Sequence, residues 1–155
     1  MDGMTTATDI RLADDNDHEW LYTLHELAHR ALVEEAYGPW DDAQQSDFFA
    51  ALITDYDAYV VESAGQPIGS LYLGTRDEDT FVALVEITPG QQGQGLGTSV
   101  LNWVAEYSQR EGRGTVLQVH KLNPAAKRLY ERLGYEPAGE TETHFLLRRP
   151  AGLPA

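Results

Sequence analysis

The chain contains no cysteine. That excludes disulfides, thiolate metal sites and a cysteine nucleophile, and it fits a reducing compartment. Basic residues are scarce: Lys and Arg number 11 against 25 Asp and Glu, and the lysines are Lys121 and Lys127 alone. A net charge of -14 repels nucleic acid and anionic lipid, so neither is an expected partner. Two readings of the acidic surface stand, solvation alone or steering of a cationic substrate such as an amine. No apolar run approaches the ~20 residues of a membrane span. Met1 to Ala7 lacks a basic segment followed by an apolar one, so no secretory signal is expected and the cytoplasm is the expected location. A length of 155 residues fits one domain, with residues 1–7 and 150–155 expected to be flexible.

What is present reads in order. Thr8 to Leu12 alternates polar and apolar as a strand does. Asp14 to Asp17 supplies caps and first-turn acids for a helix. Its apolar spacing is Trp20, Leu21, Leu24, Leu27, Ala28, Ala31 and Leu32, and Gly38-Pro39 stops it. Asp41 caps a second helix with a face of Phe48, Phe49, Leu52 and Ile53. The junction at Tyr37 to Asp42, aromatic and acidic, is either a substrate contact through Tyr37 and Trp40 or a packed corner. Strands follow at Ala58–Glu62, Ile68–Thr75 and Thr80–Thr88, the first two joined as a hairpin. Leu96, Val100, Leu101, Val104 and Tyr107 mark a helix ended by Gly112, and Thr115 to Val119 is a compact strand. Asn123-Pro124 opens a short helix that Gly134 closes. Tyr135, a turn around Pro137 to Gly139, and Thr143 to Arg148 make one or two closing strands. Hairpin-linked strands followed by a β-α-β-α-β tail predict an α/β fold, with one mixed, mostly antiparallel sheet and helices on both faces.

The chain is organised around Val85 to Thr98, a strand end, a glycine-rich turn and the first turn of a helix. Glycines at 93, 95 and 97 bend the backbone and leave N–H groups unshielded. With the helix dipole behind them, those groups form an anion site, unless the turn is only a connection. A P-loop needs a lysine after the last glycine, where Thr98-Ser99 stands. A dinucleotide fingerprint needs a third glycine where Thr98 lies. Gln92-Gly93-Gln94-Gly95-Leu96-Gly97 instead satisfies Gln/Arg-x-x-Gly-x-Gly, after Ile87-Thr88-Pro89.

That form resembles the acetyl-CoA pyrophosphate motif of the GCN5-related N-acetyltransferase (GNAT) superfamily. Asn123 to Tyr135 (N-P-A-A-K-R-L-Y-E-R-L-G-Y) is similar to the same family's N-x-x-A-x-x-L-Y-x-x-x-G-[FY] segment, in the family's order. The match covers residues 80 to 135. Gly139 to Phe145 is similar to a small bacterial and archaeal subset.

The resemblance implies acetyl-CoA lying between splayed strands at Thr80–Thr88 and Thr115–Val119. It implies an oxyanion contact from the Ile87 N–H, and a pyrophosphate site from Gln92, Gly93, Gln94, Gly95, Leu96, Gly97 and Thr98. Gln92 replaces the arginine of many relatives, which removes one cation from that site. Asn123 is expected near the pantetheine arm, and Tyr130 as the acid that protonates the leaving thiolate. Glu86 faces away from Val85 and Ile87, and is a candidate base or a binder of the substrate's cation. His120 and His144 are the other candidates for the base, unless they are surface or structural histidines, and with Tyr37 and Trp40 they are candidates for the acceptor side. No metal set is expected: His25 and His29 lie four apart, but no third ligand is evident, and they read as a helix-surface pair. The implied reaction is direct acetyl transfer from acetyl-CoA to a primary amine in a ternary complex. The alternatives are a non-catalytic acyl-CoA sensor on the same fold and a nucleotide-phosphate enzyme. A homodimer is expected only by analogy.

Overall fold

The computed structural model describes residues 8–153. The expectations for residues 1–7 and 154–155 lie outside them. Seven strands form one sheet in the order β1-β2-β3-β4-β5-β7-β6. They are β1 (Thr8–Leu12), β2 (Asp57–Ser63), β3 (Gln66–Arg76), β4 (Asp79–Ile87), β5 (Thr115–His120), β6 (Glu136–Glu140) and β7 (His144–Arg149). The helices are α1 (His18–Tyr37), α2 (Asp42–Asp55), α3 (Leu96–Arg110) and α4 (Pro124–Arg132). Every pairing is antiparallel except β4 with β5. The mixed, mostly antiparallel sheet is therefore as expected.

One core lies on each face. Val61, Leu71 and Val82 pack with Val100 and Val104 of α3, and with the apolar side of α4. Val60 and Tyr72 pack with Leu21 of α1 and with Phe49 and Leu52 of α2. The buried stripe of α1 differs from the one its spacing predicts. Leu21, Leu24 and His25 are buried, whereas Leu27 is 62% exposed. A histidine occupies the inner face, so the His25–His29 pair is not a helix-surface pair. On α2 the inner residues are Gln45, Phe49 and Leu52, and Phe48 turns outward. Pro137 to Gly139, read above as a turn, belongs to β6; a register shift between Pro137 and Gly139 absorbs the irregular backbone. β6 is an exposed edge strand, where a proline is tolerated because no further strand needs its N–H. At the carboxyl end, the Leu153 carbonyl accepts a hydrogen bond from Gln109 Nε2.

Two irregularities of β4 build the functional region. Tyr72 pairs with Leu84 but Leu73 pairs with Val82, so Ala83 is an extra residue in the ladder. Such a bulge resets the two-residue alternation. Val82 thereby shares a face with Val85 and Ile87, while Leu84 and Glu86 face α1 and α2. The second irregularity is that β4 meets β5 only at Thr80–Thr115, Phe81–Val116 and Val82–Leu117. Beyond these three pairs the strands diverge, as the resemblance implied.

The closed end of the wedge is clamped. Arg148 of β7 reaches past β5 to hold Asp79 of β4 with two hydrogen bonds, at 2.7 and 2.9 Å. Gly114 lies beneath that bridge. A Cβ there would come within 2.7 Å of Arg148 Nη2 and 2.8 Å of the Arg149 carbonyl. Gly114→Ala is therefore expected to cost about 1–3 kcal/mol through overpacking, read as a lower denaturation midpoint. An unchanged midpoint would show that the clamp yields freely.

Candidate active site

The ends of β4 and β5 open into a cleft of about 720 Å³ that runs from α4 to the inner sides of α1 and α2. Its cofactor end is built by local sequence. Thr88 donates its N–H to the Ile68 carbonyl at 2.8 Å, so the ladder to β3 uses residue 88. Alternate residues of a strand turn their N–H groups to opposite neighbours, so those of Ile87 and Val85 point into the wedge. The turn that follows has Gly93 at φ 80° and Gly95 at φ 78°. Both values belong to the left-handed region that side chains disfavour. Neither glycine has an atom within 4 Å of where a Cβ would stand, so backbone twist requires glycine here, not lack of space. α3 begins at Leu96 with no side-chain cap, leaving its first N–H groups open to an anion. The Gln92 side chain does not extend with them. Its Nε2 donates to the Ile87 carbonyl at 3.1 Å, tying the turn back to the strand.

α4 lies beside this end. Asn123 caps it, accepting from the Ala126 N–H at 3.2 Å, and also lines the cleft. Tyr130 lines the cleft next to Ala126. Burial pushes its phenol up to about 12, so it carries its proton throughout the neutral range.

The other end holds Glu86. Its carboxylate is fully buried and does not line the cleft. Ser70 donates to Oε1 at 3.0 Å, and His25 Nδ1 lies 3.0 Å from Oε2. His29 Nδ1 lies 2.5 Å from the same Oε2, an ion-pair contact that is poorly aligned as a hydrogen bond. Gln45 Oε1 stands 3.0 Å from His25 Nε2. With an oxygen at each ring nitrogen, His25 satisfies both contacts as an imidazolium. Burial is the largest single influence and opposes that charge, but the hydrogen bond and negative charge of Glu86, with the Gln45 hydrogen bond, together outweigh it and raise the pKa of His25. Burial likewise opposes the Glu86 charge, yet the two histidines hold its carboxyl well below its ordinary value, near 2. Phe48 stacks on His25 with ring centroids 5.4 Å apart.

The third partner that His25 and His29 lacked in the sequence is thus Glu86. The three ligand atoms lie within 4.8 Å of one another. Separations of 2.5 and 3.0 Å are shorter than those between ligands around a tetrahedral zinc ion, which sit about 3.3 Å apart at ordinary zinc–ligand distances. The 3.0 Å contact with His25 is a hydrogen bond, and the contact with His29 is electrostatic. Both histidines of this set line the cleft, and the His29 side chain is the more exposed, 24% against 3% for His25.

Of the other predicted residues, Tyr37, His120 and His144 come together at the rim. Tyr37 Oη lies 3.0 Å from His120 Nε2, and the two imidazole centroids are 4.8 Å apart. Trp40 does not join them. It packs 5.6 Å from the His25 ring, and its Nε1 donates to Asp42 at 3.0 Å.

A family model described as "Acetyltransferase (GNAT) family" matches residues 21–135. The chain belongs to the GNAT family. Membership carries the activity class with it, acetyl-CoA-dependent N-acetyl transfer. The mouse thialysine N-epsilon-acetyltransferase is 25% identical over 133 residues, which are 79% of this chain and 76% of that protein. Among solved structures, the Escherichia coli ribosomal-protein-S18-alanine N-acetyltransferase superposes with a TM-score of 0.72 at 20% identity, covering 96% of this chain and 97% of that one. The PaiA N-acetyltransferase of Thermoplasma acidophilum, solved with coenzyme A, gives 0.71 at 14% identity, covering 93% and 99%. At these identities the structural likenesses establish a shared GNAT fold.

Proposed function

We propose that this GNAT protein transfers acetyl directly from acetyl-CoA to a primary amine held between α1, α2 and the open end of the wedge. The observation that carries this reading is one continuous cleft joining Tyr130 and Asn123 at one end to His29 at the other. The turn from Gln92 to Thr98 holds the pyrophosphate with backbone N–H groups, and the wedge-facing N–H of Ile87 polarises the thioester carbonyl. The amine attacks that carbonyl, forming the C–N bond. Collapse of the tetrahedral intermediate breaks the C–S bond, and Tyr130 donates its phenolic hydrogen bond to the departing sulfur.

The base acts through two residues. Glu86 is sealed from the cleft, so it serves by fixing the ring of His29 instead of meeting the amine. With the His29 proton held at Nδ1 toward Glu86, the lone pair lies on Nε2, the nitrogen that takes the amine's proton. Glu86 immediately precedes Ile87, which places this base beside the oxyanion donor. The intact chain acts in the cytoplasm without a metal. Its net charge of -14 keeps nucleic acid and anionic membranes away. No helix among the described residues is long and apolar enough to cross a membrane.

Acetyl-CoA and CoA are each expected to raise the thermal midpoint, whereas ATP and NAD leave it unchanged. No shift with acetyl-CoA would remove the transferase reading. A shift without thiol release on any amine would make the protein an acyl-CoA sensor.

A further inference from the structure

We propose that the acceptor amine carries a carboxylate, and that Tyr37, His120 and His144 form the subsite that receives it. The inference rests on the transferase reading and specifies its second substrate.

Charge is distributed unevenly between surface and cleft. The chain has 25 Asp and Glu, yet among the described residues no acidic one lines the cleft. Four of its five histidines do, together with Arg76. Glu86 lies beneath the wall, already paired with His25 and His29. A polyamine or a lysine-rich tail would find no carboxylate in this cleft for its second cation. The acidic exterior therefore does not describe the acceptor.

The rim cluster is built to donate hydrogen bonds. His120 and His144 are direct partners across the β5–β7 ladder, and Tyr37 approaches from the end of α1. The Leu122 N–H donates to His120 Nδ1 at 3.1 Å, which places the proton of a neutral ring on Nε2. That N–H meets the Tyr37 oxygen, so the Tyr37 hydroxyl keeps its own hydrogen for another acceptor. Thr143 Oγ1 satisfies His144 Nδ1 at 2.8 Å. Among the described residues, neither His120 nor His144 has an ion pair with an Asp or Glu. Burial and the neighbouring His120 both hold the pKa of His144 below its ordinary value. An incoming carboxylate accepts from the Tyr37 phenol and from Nε2–H of His144, while His120 holds the Tyr37 oxygen in place. Along α1 between His29 and Tyr37, Leu32 and Val33 line the cleft. An apolar body therefore fits between the amine and the acid group.

The test compares amines in matched pairs that differ only by the carboxylate: phenylalanine with phenethylamine, leucine with isoamylamine, and lysine with cadaverine. In at least one pair, kcat/KM for the amino acid is expected to exceed that of its partner by about tenfold or more, the scale of one charge-assisted hydrogen bond. His144→Gln and His120→Gln are each expected to reduce that ratio to within about threefold at an unchanged thermal midpoint. Ratios at or below one in every pair overturn the subsite, as does preference for a polyamine or a peptide N-terminus over every amino acid. If no amine turns over, equilibrium binding to the CoA-saturated protein decides. The N-acetyl amino acid must bind tighter than the matching N-acetyl amine, and equal binding rejects the subsite. A protein that acetyl-CoA fails to stabilise removes the transferase reading and the subsite together.

Discussion

His29→Gln is expected to lower kcat by about a hundredfold and to erase the rising limb of the kcat–pH profile. Glutamine retains a polar side chain near Glu86 but cannot accept a proton at neutral pH. In the unaltered enzyme, kcat climbs as the bound base loses its proton and then levels. Glu86→Gln keeps the imidazole and removes the anion behind it, so the plateau is expected to fall by about tenfold. The groups facing this pair are Glu86 and the buried Tyr72 on the sheet, Ser70 beside them, His25 on α1, and Gln45 and Phe48 on α2. Nearly normal turnover in His29→Gln, with its limb intact, would move the base to His144 or to water. Loss of activity with a chelator and recovery with zinc would replace shared protons by a bound ion.

The same residues link stability to pH, and the signs oppose one another. Glu86 has a depressed folded pKa, so its contribution is present above its unfolded value of about 4.3 and is lost as pH falls toward 2. His25 has a raised folded pKa, so its contribution is complete below about 6.5 and is lost as pH rises through the folded value. Both are in force between about pH 4.3 and 6.5. Thermal midpoints are expected to peak there, and Glu86→Gln to flatten the peak.

Tyr130→Phe is the second large effect. Turnover is expected to drop by at least about tenfold with acetyl-CoA affinity nearly unchanged, because the lost hydrogen bond forms to a sulfur that becomes anionic only as the C–S bond breaks. A phenol held near 12 gives up its proton reluctantly. Its contribution is therefore a strong hydrogen bond to a thiolate of pKa about 8.5, with the proton passing onward as CoA leaves. The ring packs against Tyr135 at 5.9 Å, a contact that phenylalanine preserves. Unchanged turnover would reduce Tyr130 to a packing residue.

The sequence revealed this site unevenly, and physical range explains the difference. Val85 to Thr98 and Asn123 to Tyr135 each form one turn and one helix start, so their chemistry is written in neighbouring residues. The facing direction of Glu86 was also legible, because strand alternation is local. The identity of its partners was not. His25 and Glu86 are 61 residues apart in the chain, and only the packing of α1 on β4 joins them. Helical spacing placed Leu27 in the inner stripe, but the bulk it would bury is taken by a histidine that a buried carboxylate stabilises. The Ala83 bulge left no sequence signal either, since alanine fits bulged and regular strands alike. Pro137 and Gly139 have the composition of a turn, and pairing with β7 overrode it.

The short contact between β4 and β5 has a geometric consequence. Within the sheet, three residue pairs and the Asp79–Arg148 clamp, all at one end, join β4 to β5, while α3 and the core beneath it span both sides. The wedge is therefore closed at Thr80 and open at Ile87. His29 stands on the α1 side of the opening, His120 and His144 on the β5 and β7 side. Under the proposed reading, an acceptor that meets His29 with its amine and His144 with its carboxylate bridges the two walls of the wedge, so its length is matched to the width of the opening.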